Sequence, residues 1–323
     1  MGDDAHSPGA IAKSVAGRSY AGMTPLPYDL AARLFQIGTR PIDPADWLEP
    51  DAAMAGQLAE KARLRHLHPE AIFAERPESR PAQAEILALL AQYLPGRFPK
   101  LWRREGRVIH IAPSGETIDL DGADSPLRVA ARLIQDDLLL LERDAEAWRL
   151  TAGALAFPSS WTLAEKLGRR LDAIHDPVPG FGPGTRAAQI MARMFDAARP
   201  ETPMLRWNFS LYGDARLFHP DNLGPEVPRF GAGQRADPVV LRVERQTLRK
   251  LPQTGAMAFT IRIGLHDLNA LAGHPQAGRI AAALREQVAA LTPEQLAYKG
   301  LTREKTRLLA RLDEMGKASA GQV

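Results

Sequence analysis

Not one of the 323 residues is cysteine, so no disulfide holds this chain together and its fold must rest on burying side chains. The same fact removes several kinds of chemistry: thiolate zinc sites, cysteine-ligated iron–sulfur clusters and thiolate-ligated heme. An iron ion here would be held by His, Tyr or Met. An apolar share of 45% is enough for a full core, and the length suits one large or two modest domains. Basic residues number 41 against 38 acidic ones, a balance too even to point to nucleic acid. The opening residues, MGDDAHSPGA, lack the basic-then-apolar order of a secretory signal, and the densest apolar patch, 138–141, is far too short to cross a bilayer. A cytoplasmic protein with neither nucleic-acid nor membrane partners is expected.

Residues 1–22 are rich in Gly, Ala and Ser without apolar periodicity and are expected to form a flexible lead. Helical spacing of apolar residues predicts helices over 54–67 and 81–94, an amino-terminal helical layer. Short strands are expected over 108–112 and 117–120, then a helix over 126–135 and a hairpin of strands 137–142 and 148–157. Two helices follow, 163–175 and 185–198; the first opens with Thr162 and Glu165 in capping-box spacing and stops at Asp176-Pro177. Strands over 204–212, 239–250 and 256–264 come next, the last two joined by the turn LPQTG. Beyond 269 the chain is helical and charged, over 280–291 and 293–315, and reads as surface cladding or a partner-docking pair. This order predicts an α+β fold: a PAS-like antiparallel sheet with helices on one face, the amino-terminal helical layer, and carboxy-terminal helices. The expected division is the lead 1–22, a main domain 23–268 and a helical extension 269–323.

Three blocks stand out. The first is WRLTAGALAFPSSW from Trp148 to Trp161, followed by AEKLG from Ala164 and AIHDPVPG from Ala173. The second is NFSL from Asn208, and the third LRVERQTLRKLPQTGA from Leu241, continuing as FTIR from Phe259. Together and in this order they resemble the catalytic (alpha) subunits of the heme-dependent oxidative N-demethylases, a family formerly called a domain of unknown function. The resemblance runs from about residue 25 to 266. It implies heme b in a PAS-like fold, O2 and a small secondary methylamine such as dimethylamine as substrates, formaldehyde as product, and electrons from a separate flavin and iron–sulfur reductase. The chain is consistent with such a partner, having no cysteine for a cluster and no glycine-rich dinucleotide fingerprint.

Eight histidines are candidate iron ligands. His6, His266 and His274 fall at the flexible start or in exposed later loops, where an apolar pocket is not expected. His66 and His68 lack a third ligand and read as a solvated helix end. His110 alternates with apolar neighbours in an expected edge strand, and His219, in Leu-Phe-His-Pro, is a secondary candidate. His175 ends a predicted amphipathic helix whose apolar face is Leu163, Leu167, Leu171 and Ile174. Position and resemblance together make it the expected heme ligand, one that leaves the opposite side of the iron open for O2. A helix-terminal histidine capping the last carbonyls is the plainer alternative.

In the strand 239–250, alternation puts Val239, Leu241, Val243, Arg245, Thr247 and Arg249 on one face and Arg242, Glu244 and Gln246 on the other. Arg245 or Arg249 is a candidate donor to a heme propionate or to bound oxygen, and Arg242 a candidate cofactor contact. Glu244 suits a protonated methylamine, because a buried cation requires a carboxylate. Alternation sets Glu244 and Arg245 on opposite faces, so one pocket holds both only if a bulge intervenes. Asn208, between Trp207 and Phe209 on an expected central strand, is a candidate pocket residue, whereas Phe157 and Trp161 read as core aromatics. The expected activity is heme-dependent oxidative N-demethylation, with a heme-PAS gas or redox sensor and a non-catalytic scaffold as alternatives.

Overall fold

The computed structural model describes residues 26–320; the expected lead, 1–22, lies outside the described residues. The strands in chain order are β1 (Arg40–Pro41), β2 (Phe73–Glu75), β3 (Trp102–Glu105), β4 (Val108–Ile111), β5 (Glu116–Asp119), β6 (Asp137–Arg143), β7 (Trp148–Ala154), β8 (Met204–Tyr212), β9 (Val240–Lys250) and β10 (Met257–Asp267). The helices are α1 (Met54–Leu67), α2 (Pro69–Ile72), α3 (Arg80–Arg97), α4 (Pro126–Leu133), α5 (Leu163–Lys166), α6 (Leu171–Ile174) and α7 (Arg186–Ala197), followed by α8 (Leu268–Ala272), α9 (Ala277–Ala290), α10 (Pro293–Lys299) and α11 (Lys305–Ala320). Seven strands form one sheet in the order β1-β8-β9-β10-β6-β7-β2, every neighbouring pair antiparallel. A separate three-stranded sheet, β3-β4-β5, holds His110 on its central strand instead of the expected edge.

Alternation along β6 explains the layers. Leu138 and Leu140 face a core built with α1, α3 and α4, while Leu139 and Leu141 face a second core with Leu163, Leu171, Met191 and Phe195. The sheet is therefore covered by helices on both faces, not on one. Runs of apolar residues such as Leu138–Leu141 are what a strand buried on both sides requires.

A third core joins β8 and β9 to the carboxy-terminal helices: Phe209, Leu211, Leu241 and Val243 pack with Ile280, Leu284, Leu308 and Leu312. Those helices are part of the folded body and not a cladding laid over it. Helix 293–315 is broken by Gly300, which takes a left-handed φ of 64° and caps α10, with Leu301 N–H bonding back to Leu296 O at 2.8 Å. Helix 163–175 is broken in the same way. The capping box of Thr162 and Glu165 forms, but α5 lasts four residues before Gly168 (φ 77°) turns the chain to pair with β7. Gly168 N–H donates to Leu150 O at 2.7 Å, and Leu150 N–H to Arg169 O at 3.2 Å. His175 consequently follows a separate short helix, α6, as its C-cap residue.

Candidate active site

Between the sheet and the segment carrying α5, α6 and α7 lies a cavity of about 400 Å³, within the ~300–1,000 Å³ range of small-molecule and cofactor sites. Its walls are mostly apolar, with Leu139, Leu141, Leu150, Leu248, Phe259 and Ile261 from the sheet and Leu171, Ile174, Val178, Met191 and Phe195 from the helical side. Phe157 and Trp161, expected as core aromatics, line it too. Polar groups come from β8, β9, the β8–β9 loop and the end of α10, and also from Thr39, Ser159, Ser160, and Glu165 and Lys166 of α5.

His175 lines this cavity. Its Nδ1 lies 2.8 Å from Leu171 O, and a carbonyl only accepts, so Nδ1 carries the proton and Nε2 the lone pair. Burial works against a charged ring; although the Leu171 carbonyl opposes it, the pKa ends below the ordinary 6.5. A neutral imidazole with one nitrogen tethered and the other free is the form that ligates iron. The other histidines do not share this setting. His219 stacks on Tyr212 with ring centres 4.3 Å apart, outside the cavity lining, and burial lowers its pKa to about 4. His68 stacks on Phe218, and His110 bonds Thr117 and Glu105 at the surface. His266 sits on β10 and not in the expected loop. His6 lies outside the described residues. Among the described residues no cluster of His, Asp and Glu is arranged to hold a bare metal ion.

Glu244 is 5% exposed and lines the cavity. It accepts from Ser159 Oγ at 2.7 Å, Asn208 Nδ2 at 3.1 Å and Gln246 Nε2 at 2.6 Å. Burial acts to raise its pKa, but the Ser159 hydroxyl, the Arg242 and Lys299 charges and Asn208 outweigh it, so the carboxyl stays below the ordinary carboxylate range and ionised. Lys299 donates to Phe209 O at 2.7 Å, Ser210 Oγ at 3.2 Å and Asn208 Oδ1 at 3.3 Å. Since β1 pairs only with Met204 and Leu205, the rest of β8 is an open edge, and Lys299 satisfies one of its carbonyls. Holding Asn208 Oδ1 also turns the amide so that Nδ2 meets Glu244. Desolvation brings the Lys299 ammonium down to about 8, with Glu244 acting in the opposite direction.

The arginines expected at the site divide. Arg242 shares the Glu244 face of β9 but does not line the cavity. It is fully buried beneath the 157–159 segment, donating to Phe157 O at 2.7 Å and Ser159 Oγ at 3.0 Å. Ser159 thus links the Arg242 guanidinium to the Glu244 carboxylate. Ser160, with a left-handed φ of 65°, breaks the usual alternation so that two consecutive serines line the cavity. Arg245 and Arg249 lie on the opposite face, as alternation without a bulge requires. Arg245 donates to Trp47 O and Asp46 O at 2.9 and 2.6 Å and pairs with Glu49, and Arg249 lies over the Trp47 ring. Neither reaches the cavity.

Two other arginines do. Arg206 on β8 and Arg229 in the β8–β9 loop both line the cavity, and in each Nε is buried without a hydrogen-bond partner. The charge of Arg206 acts on both His175 and Glu244, so it stands near both. Sequence reasoning missed these two, along with Tyr298 and Lys299; Arg229, Tyr298 and Lys299 each lie outside the blocks they join in space. For Arg206 the signal was present: it shares β8 parity with Asn208.

Over residues 38–309 the chain matches the family described as Haem-dependent oxidative N-demethylase, alpha subunit-like. The chain belongs to that family. The matched span runs beyond the resemblance seen in the sequence and takes in α8, α9 and α10, the helix that carries Lys299. The family name joins heme, oxidative N-demethylation and an alpha subunit in one description. Among the described residues no helix is long and apolar enough to cross a membrane.

Proposed function

We propose that the chain is the catalytic subunit of a heme-dependent, O2-using oxidative N-demethylase acting on a small secondary methylamine of the dimethylamine kind. The observation that carries this reading is His175, whose Nδ1–H is tied to a backbone carbonyl and whose Nε2 is left for iron in an apolar cavity of about 400 Å³. The donor set fits heme b: His175 would ligate the iron, and the unpartnered Nε groups of Arg206 and Arg229 would serve the propionates. The antiparallel sheet with a ligand histidine opposite it is also what supports a PAS-like description of the fold.

When bound, heme b supplies oxygen activation, so that one oxygen atom enters an N-methyl C–H bond and the other leaves as water with two electrons and two protons. The resulting N-hydroxymethyl amine separates into formaldehyde and the shorter amine. The residues of the chain do the remaining work. Glu244 stays ionised and anchors the protonated amine, which a buried site needs for charge balance. Asn208 and Ser159 fix that carboxylate, and Lys299 fixes Asn208. The apolar walls keep water from the methyl group. Electrons would come from a separate flavin and iron–sulfur reductase, since the chain has no cysteine for a cluster. The sensor alternative leaves the ionised Glu244 network without a task.

Purified protein reconstituted with heme b is expected to show a Soret band that shifts with dithionite and carbon monoxide, and His175→Ala is expected to lose it. With a reductase, O2 and dimethylamine, formaldehyde should accumulate. No Soret band in the reconstituted wild-type protein would end this reading.

A further inference from the structure

Glu244 and Gln246 are two positions apart on β9 and both line the cavity. A carboxylate offers about four lone-pair sites. Ser159 takes one on Oε1, and Asn208 and Gln246 take two on Oε2, so one site remains on Oε1. Gln246 donates through Nε2 to an ionised carboxylate, which fixes its amide orientation: the carbonyl oxygen has to point elsewhere. That oxygen, Oε1, is buried with no partner, on a residue only 7% exposed. Buried polar atoms are rarely left unpaired, and because Gln246 is among the residues lining the cavity, a small turn of its side chain brings this oxygen within reach of a donor on a ligand.

We propose that Gln246 is a specificity-determining residue: its Oε1 and the open Oε1 site of Glu244 form a pair of acceptors that selects an ammonium with two N–H donors. The inference rests on reading the cavity as an amine site, and it adds how the site counts substituents on nitrogen. A dialkylammonium satisfies both acceptors at once. A trialkylammonium has a single N–H, so it leaves Gln246 unpaired and sets a methyl group against a carbonyl; a quaternary ammonium satisfies neither. Selection by an unsatisfied polar group is far stronger than selection by an extra methyl in an apolar pocket. The pairing also orients the substrate. Two N–H groups directed at β9 leave both carbon substituents of the tetrahedral nitrogen directed away from the strand.

The test is calorimetric titration of the heme-loaded protein with dimethylammonium, trimethylammonium and tetramethylammonium chloride. A merely apolar cavity would favour the less hydrated trimethylammonium ion, so the expected order runs against desolvation. Wild-type protein should bind dimethylammonium more tightly than trimethylammonium by on the order of tenfold or more. Gln246→Met should bring that ratio close to one, and Glu244→Gln should weaken all three ions together. Equal or inverted wild-type affinities would overturn the inference, as would a ratio unchanged in Gln246→Met. If Gln246→Met does not fold, the wild-type ratio and the Gln246→Ala variant carry the same decision. Failure of the underlying reading looks different: no amine binds, or Glu244→Gln binds all of them unchanged.

Discussion

Protonation decides whether His175 can hold a metal, because only the neutral ring has a lone pair to give. Burial sets its folded pKa below 6.5, so between that lowered value and 6.5 an unfolded chain binds a proton that the folded one refuses. The contribution of this group to stability is therefore complete above 6.5 and declines as pH falls. Heme retention, followed by the Soret band during acid titration, should show a midpoint below 6.5; release centred above 6.5 would contradict this account of His175. The neighbouring charges show what a sequence conveys at this scale. Alternation along β9 separated Glu244 from Arg245 correctly, but it could not say which of them met the cavity. The partners that decide the matter for Arg245 are the carbonyls of Asp46 and Trp47, 199 and 198 residues away in the chain. Nothing local to 239–250 carries that information.

At the scale of elements, regular segments were legible and interruptions were not. The spans of α1 and β8 coincide with the apolar periodicities read from the sequence, since each is set by its own repeat. The helices expected over 163–175 and 293–315 both break at a glycine, and a lone glycine inside a periodic run carries only a weak signal. What breaks them is tertiary: β7 offers an open edge beside Gly168, and at Gly300 the chain turns so that α10 can deliver Tyr298 and Lys299 over the edge of β8. A Cβ on Gly300 would collide with the Arg229 guanidinium and would also be held at a φ of 64°. Gly300→Ala should accordingly cost roughly 1 kcal/mol or more of stability, and it should weaken heme binding because Arg229 is displaced. Thermal melts and heme titrations check the two effects separately; a melting temperature lowered with heme affinity intact would detach Arg229 from the cofactor.

At the scale of the whole molecule, among the described residues a buried lysine, Lys61, and a half-buried one, Lys299, lie on different sides of the sheet and give the protein a distinctive alkaline response. Desolvation lowers Lys61, which donates to Ile134 O and Asp136 O, and Lys299 to about 8 from 10.5. Between those values the unfolded chain holds protons that the folded chain has released, so the contribution of both groups to stability rises with pH over that window. Urea midpoints measured at several pH values from 8 to 10 should rise less steeply in Lys61→Met than in the wild type; equal slopes would remove Lys61 from this account. Strand β9 has a consequence for how such proteins diverge. Its even-numbered positions from 244 to 248 face the ligand cavity, and the odd-numbered Arg245 and Arg249 secure the Asp46–Trp47 loop on the far side. Substrate preference can therefore drift through alternate codons of a single short stretch, and the intervening codons keep the architecture constant while it does.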